Sequence, residues 1–262
     1  MALIETAAIV LRCIDYGESD RVVTLMTREV GCVGALARGA RKSQRRFGGG
    51  LGLCTIGSAA LRERSGSELF TLERFDVTAS HPALALEVTR IAHAAYAAEL
   101  VTKLCAPRQP EPAIFDLLSD ILGALDQHGE VTEWLRVFEL SLLDRLGLAP
   151  VLEACAVCGR EDLSVGEVID VRWNPEQGGV VCRGCGSTGR PMRPVVRLAL
   201  ARLALGRSRL SHRVEATLTA DGGPLDDVAK GCRDALGEVI AAHLSAPLRS
   251  LEFLAKMEIQ GS

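Results

Sequence analysis

Four of the nine cysteines in this 262-residue chain fall into two close pairs. Cys155-Ala156-Val157-Cys158 is separated by 23 intervening residues from Cys182-Arg183-Gly184-Cys185, and a glycine follows each pair, Gly159 and Gly186. Two-residue spacing forms a tight knuckle that aims two thiolates and nearby backbone amides at one ion. Two knuckles complete a tetrahedral four-sulfur shell suited to zinc. Four thiolates leave no open position for water or substrate, so Cys155, Cys158, Cys182 and Cys185 are read as ligands of one structural Zn2+. The gap is slightly longer than the commonest ribbon spacing, which a hairpin through Val168–Trp173 accommodates. A pair of redox motifs would need a strand–helix context with one depressed thiol pKa, and that context is absent. The other cysteines, Cys13, Cys32, Cys54, Cys105 and Cys232, lie among apolar neighbours and are read as small core residues. Their odd total disfavours a disulfide framework.

The second chemically suggestive stretch is basic. No acidic residue occurs between Glu29 and Glu63, and within that window stand Arg38, Arg41, Lys42, Arg45 and Arg46, followed by Phe47-Gly48-Gly49-Gly50. Five cations within nine residues, beside flexible glycines, occupy a joint between two strands. Such a loop can follow a phosphate backbone. Neutralising about five phosphates of a single strand gives a salt slope near ~−3.5. Phe47 either stacks on a base or is buried.

A second acid-free window, Gln177 to Val214, holds eight arginines: Arg183, Arg190, Arg193, Arg197, Arg202, Arg207, Arg209 and Arg213. Part of it is the helical segment Val195–Leu205. Arg193, Arg197 and Arg202 beside its apolar residues form either a dock for an acidic, hydrophobic peptide or a continuation of a DNA track. The bland alternative is a helix surface balanced by acids on neighbouring helices. No Walker loop, HExxH or Gly-x-Ser-x-Gly motif occurs, and the five histidines are dispersed, so no catalytic residue is assigned. Asp15, Glu18 and Asp20 cluster in the first turn. They are ordinary turn chemistry, or else the carboxylates of a metal-dependent nuclease.

These residues need elements to position them. Residues 1–80 read as five short strands with glycine-rich turns, a small barrel or a sandwich. From about 81 to 150 apolar residues recur at helical spacing: Ile114, Leu117, Leu118, Ile121, Leu122 and Leu125 on one face, then Trp134, Leu135, Phe138, Leu142 and Leu146 up to a stop at Gly147. Residues 151–190 break that pattern and carry the cysteine pairs. Residues 191–262 return to it, with Val228, Cys232, Ala235, Leu236, Val239 and Ile240 on one face and a last short helix at Leu248–Leu254. The expectation is an α+β multidomain chain: a barrel, then a mainly α-helical domain carrying a four-cysteine zinc-binding insertion. Apolar residues make up 48% and charged residues 24%, with a net charge of −3. That is ordinary for a globular protein and argues against coating nucleic acid by bulk charge. No long uncharged apolar run and no signal peptide are apparent, so a cytoplasmic location is expected.

The segment Glu5-Thr6-Ala7-Ala8-Ile9-Val10-Leu11-Arg12, then Asp15-Tyr16-Gly17-Glu18-Ser19-Asp20-Arg21, resembles the start of RecO proteins. Gly31, Ala37-Arg38-Gly39-Ala40-Arg41-Lys42, Arg45-Arg46-Phe47, Glu68-Leu69-Phe70-Thr71-Leu72, Leu142–Pro150, the paired cysteines and Arg249-Ser250-Leu251 extend the likeness over nearly the whole chain. The resemblance implies an N-terminal OB-fold, a helical domain and a zinc-binding insertion. It implies a recombination mediator of the RecF pathway in DNA repair rather than an enzyme, associated with the nucleoid. Such a mediator binds single- and double-stranded DNA, anneals complementary strands, and works with RecR to load RecA onto strands coated by single-strand-binding protein (SSB). It also implies docking of the acidic SSB tail. The alternative reading is a zinc-ribbon factor with an OB barrel that acts on RNA polymerase or the ribosome.

Overall fold

The computed structural model describes residues 3–48, 50–128, 132–165, 168–169, 171–186, 188–205, 225–251 and 253–254. The last three arginines of the second basic window, Arg207, Arg209 and Arg213, lie outside the described residues. The chain divides into two compact units: Met1–Glu130 with Leu248–Ser262, and Val131–Pro247. This division by contact cuts across the division by sequence character, because residues 81–128 group with the barrel.

In the first unit five strands close into a barrel in the order β1-β2-β3-β5-β4: β1 Leu3–Tyr16, β2 Asp20–Thr27, β3 Gly31–Ala37, β4 Ile56–Arg62 and β5 Phe70–Ala79. β1 is long enough to pair with β4 through its first half and with β2 through most of its length, and a register shift between Val10 and Arg12 lets it bend around the barrel. Closure depends on a short parallel contact between β3 and β5, Ala35 with Phe70 and Leu36 with Thr71. Ala8, Val10, Val23, Leu25, Val33, Ala35, Leu61, Leu72 and Phe75 fill the interior.

The imperfect alternation along these strands has a physical cause. Ile9, Met26 and Cys32 stand opposite one another on the outer side of the barrel, yet all are buried. Helix α2 (Val88–Leu104) lies against β1 and α3 (Pro112–His128) against β2, so that end of the sheet has two apolar faces. The connection before α3 passes close over the start of β3: Arg108 N–H donates to the Cys32 carbonyl at 2.9 Å. A Cβ on Gly31, whose φ is +78°, would lie 1.9 Å from the Gln109 carbonyl oxygen, so only glycine fits there. The last helical turn among the described residues is tied to α2 by Glu99. Its carboxylate accepts from the Arg249 and Ser250 amides at 3.1 and 2.8 Å and from the Ser250 hydroxyl at 2.6 Å.

In the second unit α4 (Thr132–Arg145) stops as expected at Gly147, which takes a φ of +72°. The expected hairpin is shifted. Strands β6 (Ser164–Val165) and β7 (Val168–Ile169) pair with each other, whereas the longer hairpin joins β8 (Val171–Asn174) to β9 (Gly179–Cys182), with β10 (Arg190–Pro191) on the other side of β8. Turn chemistry sets this register. The Asn174 side chain accepts from the Gln177 amide at 3.2 Å, Pro175 opens a single 3-10 turn, and Gly178 is left-handed at +86°. Helices α5 (Pro194–Leu205) and α6 (Leu225–Ala242) complete the unit with α4.

Candidate DNA-binding loop and metal centre

The basic loop is built around one buried ring. Arg38, Arg41, Lys42, Arg45 and Arg46 are all exposed, but Phe47, at the end of the four-residue helix α1 (Gln44–Phe47), is 1% exposed and belongs to the barrel core. Of the two roles open to Phe47, stacking on a base or burial, the ring takes burial, and its place among the candidate DNA-contacting residues is corrected. An isolated phenylalanine between cations and a run of glycines is drawn inward by the apolar area it removes from water. The chain turns back immediately, with the Gly50 amide donating to the Phe47 carbonyl at 2.6 Å. The Arg46 guanidinium covers the ring from outside, 5.1 Å from its centroid, and donates to the Arg38 carbonyl at 2.6 Å.

The carboxylates of the first turn hold the other side of this loop. Asp20 Oδ1 accepts from the Gly39 amide at 2.8 Å and from the Ser19 hydroxyl at 3.0 Å. Those donors, the Gly39 amide first, keep the Asp20 carboxyl below its ordinary pKa. Asp15 pairs with Arg21 at 3.0 Å and with Arg41 at 3.6 Å, and the Arg41 amide donates to the Ser19 carbonyl at 3.0 Å. Asp15 and Asp20 thus act as loop anchors, a role that sequence left open between turn chemistry and metal binding. Among the described residues, Arg38, Lys42, Arg45 and Arg46 make no ion pair. The result is an anchored backbone with solvent-facing cations, an arrangement that can meet phosphates with little reorganisation.

The four expected ligands come together in the second unit. The sulfur atoms of Cys155, Cys158, Cys182 and Cys185 all lie within 4.8 Å of one another. Among the described residues this is the one group of histidine, cysteine, aspartate and glutamate side chains able to hold a metal. Each knuckle closes on its glycine: Gly159 N–H donates to the Cys155 carbonyl at 2.8 Å and Gly186 N–H to the Cys182 carbonyl at 2.9 Å. Gly159 is left-handed at +70°. The Cys182 amide donates to Cys155 Sγ at 3.3 Å. Burial pushes the Cys155 thiol up, but the amides of Cys182, Cys158 and Val157 outweigh it and hold it at about 6. Hydrogen bonding with Cys158 and Cys182 pushes Cys185 up to about 12, because four sulfurs this close cannot all be thiolates without a cation among them. The donor set fits a closed tetrahedral metal shell. The scattered cysteines behave differently: burial raises Cys32 to about 11 and Cys54, Cys105 and Cys232 to about 12. Cys13 is half-buried against the barrel core.

The second arginine-rich region is largely engaged with the protein itself. Arg190 pairs with Glu238 at 2.9 Å and Arg193 with Asp227 at 3.9 Å, both acids on α6. Half-buried Arg197 donates to the Leu152 carbonyl at 2.9 Å. Arg202 is exposed in the last turn of α5, beside a cleft of about 610 Å³ lined by Leu152, Ala201, Ala204, Leu205, Glu153 and Glu161.

No helix among the described residues is long and apolar enough to cross a membrane. Comparison with known proteins agrees with this architecture. Residues 1–81 match the family model for recombination protein O N terminal, and residues 85–252 match the model for recombination protein O C terminal. The chain is 42% identical to the DNA repair protein RecO of Anaeromyxobacter sp. (strain Fw109-5), covering 96% of this chain and 95% of that one. It is 39% identical to the RecO of Geobacter sulfurreducens, over 97% and 98%, and 36% identical to that of Myxococcus xanthus, over 95% and 96%. An OB-type barrel with an anchored basic loop, a helical region with a four-cysteine cluster, and matches that span both ends of the chain place this protein in the RecO family of DNA repair proteins.

Proposed function

We propose that this chain is a recombination mediator that binds single- and double-stranded DNA through the amino-terminal barrel and performs no covalent chemistry on it. It anneals complementary strands and, with RecR, helps load RecA onto SSB-coated single strands. The observation that carries this reading is the loop Arg38–Phe47, where five exposed cations stand on a backbone fixed by Asp15, Asp20 and the buried Phe47 ring. Annealing needs two polyanions brought together with their charge neutralised, and such a loop does that without a nucleotide cofactor.

The metal held by Cys155, Cys158, Cys182 and Cys185 is zinc in this reading, and its contribution is to brace the knuckles. The dock for the acidic SSB tail is assigned to α5 and the residue before it, where exposed Arg202 and Arg193, the latter 3.9 Å from Asp227 and exchanging that partner for the tail, flank apolar surface; Arg197 serves chiefly to hold Leu152. The four-part division into a barrel at 1–80, helical residues 81–150 and 191–262, and a metal insertion at 151–190 is retained as a proposal about sequence modules.

A strand-annealing assay with and without SSB tests the whole reading. The wild-type protein accelerates annealing of coated strands, and the variant Arg41→Ala, Lys42→Ala, Arg45→Ala, Arg46→Ala does not. Equal annealing by the two proteins removes the loop from the mechanism.

A further inference from the structure

With Phe47 in the core, the basic loop has no aromatic platform of its own. We infer that Tyr16 supplies one, its ring stacking on a base of single-stranded DNA whose phosphates lie along Arg38–Arg46. This rests on the reading that the barrel holds DNA.

Tyr16 ends β1 and pairs with Asp20 across the hairpin. Side chains alternate along a strand, so Arg12, Ile14 and Tyr16 share the outer face, while Cys13 between them packs on the barrel core. At the far end of this face α2 and α3 bury Ile9 and Met26, but at the near end Tyr16 is 60% exposed and Ile14, opposite Val22, is 43% exposed. An aromatic ring left in water at the uncovered end of this face forgoes a large apolar burial, which a stacked base would recover.

The neighbouring charges identify the occupant. Arg41 reaches across to the carbonyls of Gly17 and Glu18, at 3.5 and 3.3 Å, the two residues that follow Tyr16. The loop is therefore in contact with the turn that immediately follows the ring, and Arg12, two positions along on the ring's own face, is exposed as well. Around them, segments 12–21 and 38–47 contain seven cations and three carboxylates. Two of those carboxylates, Asp15 and Asp20, are held by the protein itself. A flat ring beside a cationic track is the arrangement that accepts unpaired bases with their phosphates. In a duplex the bases are stacked inside and out of the ring's reach, so Tyr16 separates the two forms of DNA where the loop alone does not.

The test uses the full chain with Tyr16→Ala and Tyr16→Trp, a short oligothymidylate, and a duplex of equal length at one salt concentration. Tyr16→Ala weakens oligothymidylate binding about ten-fold and leaves duplex binding and the salt slope unchanged. Tyr16→Trp restores binding, and its added emission is quenched by oligothymidylate but not by the duplex; the native indoles, Trp134 and Trp173, are buried. If Tyr16→Ala matches a DNA-binding wild type on oligothymidylate, or loses both forms equally, stacking is overturned while the loop reading stands. A wild-type protein that binds neither form overturns both.

Discussion

The two arginine-rich regions share an acid-free composition and have opposite fates. Around the barrel, Arg38, Lys42 and Arg45 are exposed with no ion pair among the described residues, and Arg46, exposed and unpaired with any acid, rests on the Arg38 carbonyl and the Phe47 ring. Near α5, Arg190 and Arg193 are matched by Glu238 and Asp227, and Arg197 is spent on the Leu152 carbonyl. A window free of acids along the chain therefore says little about free charge in space. The balancing carboxylates come from α6, more than 30 residues away in sequence. What distinguishes the loop is that its local acids engage one backbone amide, Gly39, and one side chain, Arg41, which leaves its other four cations without an acidic partner among the described residues.

Experiments that separate stability from DNA affinity can break this contrast. The largest expected effect is on the metal centre. Structural zinc contributes on the order of 10 kcal/mol to the fold that holds it. Chelation, or Cys155→Ser, should abolish the cooperative thermal transition of the second unit, read by calorimetry, while oligonucleotide binding by the barrel persists. Next is Phe47→Ala, the one change expected to cost both properties. Removing a buried phenylalanine costs about 3–5 kcal/mol, and the loop it anchors loses its shape, so the melting temperature and DNA affinity fall together. Arg197→Ala should cost about 1–3 kcal/mol of stability with no change in DNA affinity; a selective loss of DNA binding would show that α5 belongs to the DNA track after all.

The smallest effect is a dependence on pH. Without metal, Cys155 near 6 is a thiolate at neutral pH, whereas Cys185 near 12 is a thiol. Binding a dication must expel the Cys185 proton, so metal affinity rises as pH increases through the neutral range. It drops further below about 6, where Cys155 protonates. Proton release on zinc addition near neutral pH, followed in weak buffer, checks this sign.

Much of the fold was legible in the sequence. The five strands of the first unit, the stop of α4 at Gly147 and the four clustered cysteines follow from turn residues and cysteine spacing, which are local signals. The extent of β1 was not: only its apolar run, Ala7–Leu11, reads as a strand, because Glu5, Arg12 and Asp15 interrupt the apolar pattern on either side. The fate of Phe47 was undetermined, since a single apolar residue among cations and glycines has no periodicity. The Arg136–Glu139 pair, three residues apart on α4, reads as surface charge but is buried. Tyr16, beside the turn acids Asp15 and Glu18, carries no strand signal of its own, although continuing the alternation from Arg12 and Ile14 places it on the open face. Each of these misses depends on what packs against a residue from elsewhere in the chain.

The central claim is that the loop cations neutralise DNA phosphates, and the salt dependence of oligonucleotide binding measures this most directly. With about five phosphates neutralised, log K against log salt for a single strand should fall with a slope near ~−3.5. The variant lacking Arg41, Lys42, Arg45 and Arg46 should show a slope of about −0.7 at a nearly unchanged melting temperature. The same slope in both proteins would contradict the account.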